Sequence, residues 1–264
     1  MARPIIAFLT DFGTGDHYAG TMKGVALGIC PDATLVDITH DIEPQDVIGG
    51  ALELAASYRY FPAGTVFVAV VDPGVGSARR ALAVDAGGHH FVGPDNGLLS
   101  LVLEETPPAA AVLLANPQYA LPVISRTFEG RDRFAPAAAW LACGLELARL
   151  GPSTDTWQTL TLPRVVASQG AIDGEVVRID RFGNLITNID RATFDRMAAA
   201  TAVDVLVAGR AVPLVDTYAQ AGSGTVCALF GSSGRLEIAL TDGDAARHLG
   251  LSRGAAARIV AIPG

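Results

Sequence analysis

The stretch SRTFEGRDRFAP, residues 125–136, gathers Glu129, Arg131, Asp132 and Arg133 within five positions of a chain that is half apolar and 17% charged. A carboxylate among guanidiniums can hold a water and accept its proton, or form an ordinary surface ion pair. Other acids stand where apolar runs end: Asp11 after PIIAFLT, Asp72 in VVDPGVGSARR, and Asp95 in the turn GPDNG. In open α/β sheets, ligands bind just beyond the carboxyl ends of the strands. Acids collected along that edge, with Arg79 able to reach in, describe a carboxylate-lined pocket for a cationic or hydroxyl-rich ligand. One carboxylate can accept hydrogen bonds from two vicinal hydroxyls, so Asp11 suits a ribose. Each residue alone also has a plainer reading: Asp11 as a helix cap, Asp72 and Asp95-Asn96 as turn formers, Glu129 and Arg131 as a surface pair.

The elements that would hold these residues follow from apolar spacing. PIIAFLT and TVFVAVV read as buried strands, without helical periodicity. GDHYAGTMKGVALGIC puts Met22, Val25, Ala26 and Ile29 on one helical face, and PQDVIGGALELAASYRYFP does the same with Val47, Ala51, Leu54 and Ala55. ALAVDAGGHHFVG reads as a hairpin about Gly87-Gly88, SLVLEE as a short helix, and AAAWLACGLELARLG as a longer helix stopped by Gly151-Pro152. Alternating strands and helices over residues 1–155 imply an α/β domain with a mostly parallel sheet. GPSTDTWQTLTLPR is polar and irregular and marks a linker at about 156–167. Short strands with frequent turns over residues 168–264 imply a smaller all-β, barrel-like domain.

A formal net charge of −8 and the lack of a basic stripe argue against a nucleic-acid surface. No apolar run has the length of a signal segment or a membrane span, so a soluble cytoplasmic protein is expected. Cys30, Cys143 and Cys227 are odd in number and far apart, as in a reduced protein. There is no GxxxxGK[ST] run, and Gly13, Gly15 and Gly20 do not fit GxGxxG. His17, His40, His89, His90 and His248 form no spaced ligand set, so neither a metal nor a cofactor is expected.

Taken in order, LTDFGTGDHYAGTMKG, VDPGVGSARR, VGPDNGLL, TFEGRD and IDRFGNLITNI resemble the S-adenosyl-L-methionine hydroxide adenosyltransferases, relatives of the adenosyl fluoride and chloride synthases. The resemblance runs from the first strand to about Leu240. It implies hydrolysis of S-adenosylmethionine to adenosine and methionine, and a homotrimer whose active sites lie between one subunit's N-terminal domain and its neighbour's C-terminal domain. By motif match Asp11 would hold the ribose hydroxyls, Asp16 would approach the methionine ammonium, and Phe128 would wall the reacting centre. From the neighbour, Asp180 would bind the methionine part. Phe182 and Asn184 would take the adenine, with Tyr218 stacking, and Ser232 and Ser233 would contact the amino acid. The hydroxide-transferring members use an Asp–Arg–His set around the attacking water. Asp72 and Arg79 match its first two members, but the usual TFHGRD is TFEGRD here, so Glu129 stands in the histidine's place. Two carboxylates repel a halide. The set therefore points to water as nucleophile, with a slow or non-catalytic S-adenosylmethionine binder as the alternative.

Overall fold

The computed structural model describes residues 3–168, 170–198 and 202–262. The chain forms two compact units, residues 1–161 and 162–264.

In the first unit six strands make one sheet: β1 (Ile5–Thr10), β2 (Thr34–Thr39), β3 (Val66–Val70), β4 (Ala81–Ala86), β5 (His89–Pro94) and β6 (Ala110–Leu113). Their order is β2-β1-β3-β5-β4-β6. The first four in that order run parallel, and β4 pairs antiparallel with both β5 and β6. Every residue of β3 is buried, as an apolar run in a strand covered on both faces requires. Side chains alternate between the faces of a strand. Ile6 and Phe8 of β1 therefore join a core with Met22 and Ala26 of α1 (Tyr18–Ile29) and the alanines of α4 (Ala135–Ala142). On the opposite side α2 (Val47–Ser57) packs against β1, with α3 (Ser100–Glu105) beside it. At Gly50 of α2 an added Cβ would lie 2.8 Å from Leu98 and 3.1 Å from Val71. The helix thus packs against these two side chains more closely than an alanine would allow.

The hairpin forms as expected, Ala86 pairing with His89. The long helix expected from AAAWLACGLELARLG does not. α4 stops at Ala142, Gly144 turns at φ +89°, and a 3-10 turn covers Leu147–Leu150. A left-handed glycine ends a helix more readily than the apolar spacing can extend it. Residues 156–160, the start of the expected linker, are tied to the first unit: the backbone N–H of Gln158 donates to Asp95 and that of Leu160 to Ser100. Asp95 also accepts from Arg80 Nε at 2.7 Å, so this acid staples the segment down.

In the second unit β7 (Val166–Ser168), β8 (Ala171–Ile179), β9 (Leu185–Asp190), β10 (Val203–Val207), β11 (Arg210–Val212), β12 (Val226–Phe230), β13 (Arg235–Leu240) and β14 (Ala256–Ala261) form an antiparallel sheet. Its order is β11-β10-β14-β8-β9-β13-β12, with β7 beside β8. A bridge from Leu214 to Ala228 brings the chain after β11 against β12, so the sheet nearly closes into a barrel. The short helices α5 (Arg191–Ala198), α6 (Tyr218–Ala221) and α7 (Ala245–Leu249) sit in its connections. Ile172, Val176, Leu185, Val205, Leu236 and Ile259 are among the side chains that fill the interior. No helix among the described residues is long and apolar enough to cross a membrane.

Candidate active site

β1 and β3 are parallel neighbours in register, with Thr10 beside Val70, so Asp11 and Asp72 leave the sheet at the same edge. Behind them the chain turns at Asp72-Pro73-Gly74 and returns Arg79 toward the sheet. Arg79 Nε donates to both Asp72 oxygens, at 2.8 and 3.0 Å, and Nη2 makes a further close contact with Oδ2. Nη2 also donates to Glu129 Oε2 at 2.8 Å. The guanidinium lies 5.2 Å from the Phe134 ring centroid, which limits its freedom on the other side. Asp72, Arg79 and Glu129 are nearly buried, with 6%, 9% and 13% of their side chains exposed. Burial acts against the Arg79 charge, but the hydrogen bonds and charges of Asp72 and Glu129 outweigh it and raise the guanidinium above its ordinary value. The sequence-predicted trio is therefore one hydrogen-bonded cluster.

Glu129 leads into a π-helical turn, Gly130–Phe134, that runs into α4. Such turns recur at functional sites because they widen the helix and re-aim its side chains. Asp132, wholly buried, anchors the turn: Oδ2 accepts from the backbone N–H of Ser125 at 2.7 Å, and Oδ1 from Arg131 Nε at 2.6 Å. Arg131 thus serves Asp132 rather than Glu129, and its guanidinium lies 5.2 Å from the Phe128 ring.

Asp11, Asp72, Phe128 and Glu129 line a cavity of about 430 Å³ with Phe12, Tyr18 and Gln45. The backbone N–H of Gln45 donates to Asp11 at 2.8 Å. Burial pushes the Asp11 carboxyl above its ordinary value, a change that the Gln45 hydrogen bond opposes and the Asp72 charge reinforces. Gln45 adopts φ +69°, uncommon for a residue other than glycine, and nothing in the sequence announces it. Phe12, Tyr18 and Phe128 form an edge-to-face cluster with centroids 5.1 to 5.9 Å apart. Phe12 and Tyr18 were legible as types in LTDFGTGDHYAG but were not singled out there. Asp16, expected near a ligand ammonium, is exposed ahead of α1 and does not line this cavity.

Gly76 joins the two halves of the cluster. It adopts φ +75°, and a Cβ there would lie 2.2 Å from the Arg126 carbonyl oxygen. Gly76→Ala would combine a left-handed backbone penalty with a backbone clash, and is expected to destabilise the protein by about 2 kcal/mol or more. Because Arg126 is three residues from Glu129, activity should fall further than the population of folded protein. Thermal melting and turnover on the same sample check both.

In the second unit Asp180, Phe182 and Asn184 occupy the loop between β8 and β9. Asp180 Oδ1 accepts from the backbone N–H groups of Phe182 and Asn184, both at 2.9 Å, and Oδ2 from Asn184 Nδ2 at 3.0 Å. Asp180 therefore shapes the loop that leaves Phe182 75% exposed. Phe182, Asn184 and Tyr218 line a cavity of about 630 Å³ with Ser223, Thr241 and Asp242. The Tyr218 hydroxyl donates to Glu237 Oε1, a close contact absent from the sequence-based expectation. Burial and this bond raise the Tyr218 hydroxyl, and burial raises the Glu237 carboxyl. Ser232 and Ser233 are exposed at the tip of the β12–β13 hairpin and lie outside this cavity's lining.

Chemically, the first cavity offers a hydroxyl-binding carboxylate, an aromatic wall suited to a cation, and a carboxylate pair locked by one arginine. Glu129 Oε2 is held by Arg79, whereas Oε1 has no hydrogen-bond partner among the described residues. A carboxylate oxygen that is fixed in place yet free to accept is what holding a water requires.

Residues 6–151 match the SAM hydroxide adenosyltransferase N-terminal domain, and residues 174–258 the C-terminal domain of the same family. The (R)-S-adenosyl-L-methionine hydrolase of Thermus thermophilus is 42% identical, across 98% of this chain and 100% of its own. The (R)-S-adenosyl-L-methionine hydrolase of Salinispora arenicola is 38% identical, across 98% of both. Among solved structures, an uncharacterized conserved protein from Thermotoga maritima superposes with a TM-score of 0.91 at 36% identity, covering 97% of this chain and 99% of that one.

Proposed function

The chain belongs to the SAM hydroxide adenosyltransferase family, and we propose that it hydrolyses S-adenosyl-L-methionine to adenosine and L-methionine. The observation that carries the mechanism is the Asp72–Arg79–Glu129 cluster at the wall of the cavity that Asp11 also lines. Water, held by the free Oε1 of Glu129, attacks the ribose C5′ in line with the C5′–S bond. That bond breaks with its electron pair going to sulfur, methionine leaves as a neutral thioether, and the water's proton passes to Glu129. Holding nucleophile and carbon in line supplies much of the acceleration. Phe12, Tyr18 and Phe128 face the sulfonium, and Asp11 takes the ribose hydroxyls. A sulfonium is already an activated leaving group, so the reaction as proposed calls for no cofactor and no metal.

We further propose a cytoplasmic homotrimer with active sites at its subunit interfaces. In it a neighbour supplies Asp180, Phe182, Asn184, Tyr218, Ser232 and Ser233 for the adenine and methionine parts, while Asp16 meets the ammonium. The relatives named for the (R) epimer support the same sulfonium preference here. Asp72 and Glu129 would repel a halide in the water's place, which favours hydrolysis over halide transfer.

The test is to incubate the protein with each sulfonium epimer and separate the products by chromatography, with and without chloride. Adenosine and methionine in equal amounts are expected, faster from the (R) epimer, with no chlorinated nucleoside and no chloride effect on rate. Tight binding without product would instead support a binder in which glutamate for histidine has ended catalysis.

A further inference from the structure

Glu129 brings a second negative charge into a nearly buried cluster. With Asp72 and Arg79 alone, that charge would be uncompensated. The structure holds a second cation in reach. Arg133, one helical turn beyond Glu129, places Nε 3.7 Å from Glu129 Oε2, the same oxygen that Arg79 Nη2 holds. Arg133 Nε is itself buried and has no hydrogen-bond partner. The guanidinium is tethered at its other end, Nη1 donating to the Leu114 carbonyl at 3.0 Å, while a third of the side chain is exposed. Asp72 and Glu129 against Arg79 and Arg133 then make a cluster without net charge.

We propose that Arg133 is a positioning residue for the hydrolysis, the second of two guanidiniums that clamp Glu129 Oε2 and so leave Oε1 turned to the attacking water. This rests on the proposed role of Glu129. The other groups facing Glu129 are Asp72 and Arg79 from the turn after β3, and Asp11 and Tyr18 across the cavity; Arg131 on its own turn is engaged by Asp132. Of these, Arg79 is shared with Asp72, so Arg133 is the cation whose removal acts on Glu129 most selectively.

The test is steady-state kinetics of the full-length Arg133→Gln and Arg133→Lys variants, with Glu129→Gln as reference. Arg133→Gln is expected to lower kcat about tenfold while KM holds, because Arg133 acts on the water through Glu129 and touches no substrate. Arg133→Lys, which keeps a positive charge beside Glu129 Oε2, should restore most of that loss. A kcat unchanged in Arg133→Gln, or an equal loss in the Gln and Lys variants, overturns the proposal, because a role confined to the Leu114 tether does not depend on the charge. If Arg133→Gln does not fold, the Lys variant decides by itself: a kcat within about threefold of the parent's supports the proposal, and a loss of about tenfold or more overturns it. Should Glu129→Gln keep the parent's rate, the role of Glu129 fails. Should Glu129→Gln lose its rate while the Arg133 variants keep theirs, the clamp alone fails.

Discussion

Replacing Asp72 with alanine is expected to lower turnover by about three orders of magnitude while leaving affinity for S-adenosylmethionine within a few-fold of the parent. Asp72 accepts from Nε and Nη2 of Arg79, and the two side chains are almost wholly buried. Without Asp72 the guanidinium retains one carboxylate partner, Glu129. It would then close on Glu129 bidentately and occupy the Oε1 that the water needs. The loss is therefore one of nucleophile placement and should appear in single-turnover rate, not in binding. Stability should fall as well, because breaking a buried ion pair costs about 3–5 kcal/mol when the partner is left bare, and less here because Glu129 remains. Calorimetric titration with substrate, a single-turnover experiment and a melting curve separate these effects. A variant within tenfold of the parent's turnover would show that Arg79 and Glu129 work without Asp72.

How much of this site could be read from the sequence depends on the kind of interaction. Asp11 and Asp72 were legible because a buried parallel strand is a plain apolar run, and the first acid after it must emerge at the ligand-binding edge. Glu129 was legible as an oddity, a dense cluster of charge in an apolar chain. Gln45 was not, because its part is played by a backbone N–H in a left-handed turn, and no side-chain chemistry signals it. Arg133 stood in the quoted stretch with no assigned role: its i,i+4 spacing from Glu129 was there to read, but residues 130–134 were not read as helical. The shortened α4 was hidden for a different reason. Apolar periodicity runs through Gly144, but the backbone there takes a conformation that periodicity cannot report. Asp95 misled in the opposite direction. It is at a strand end and almost wholly buried, yet it secures the segment around Gln158 and lines neither of the two cavities. Position at a strand end selects candidates, and partners decide among them.

Glu129→Gln is the substitution that tests the chemistry most directly, since it removes one charge and almost no volume. Oε2 faces the guanidiniums of Arg79 and Arg133, which only donate, so the glutamine must put its carbonyl oxygen there. Its amide nitrogen then takes the place of Oε1 and presents N–H groups where the water needs an acceptor. The water loses its base and is turned the wrong way by the same exchange. Turnover is expected to fall by about two to four orders of magnitude, the span general-base catalysis commonly supplies. KM should change little, because Glu129 meets the water and the substrate is held by Asp11 and the aromatic wall. Steady-state kinetics with adenosine as the measured product report both quantities. A glutamine variant that retained the parent's rate would mean that Asp72 and Arg79 hold the water by themselves, and that the carboxylate at position 129 is there for charge balance alone.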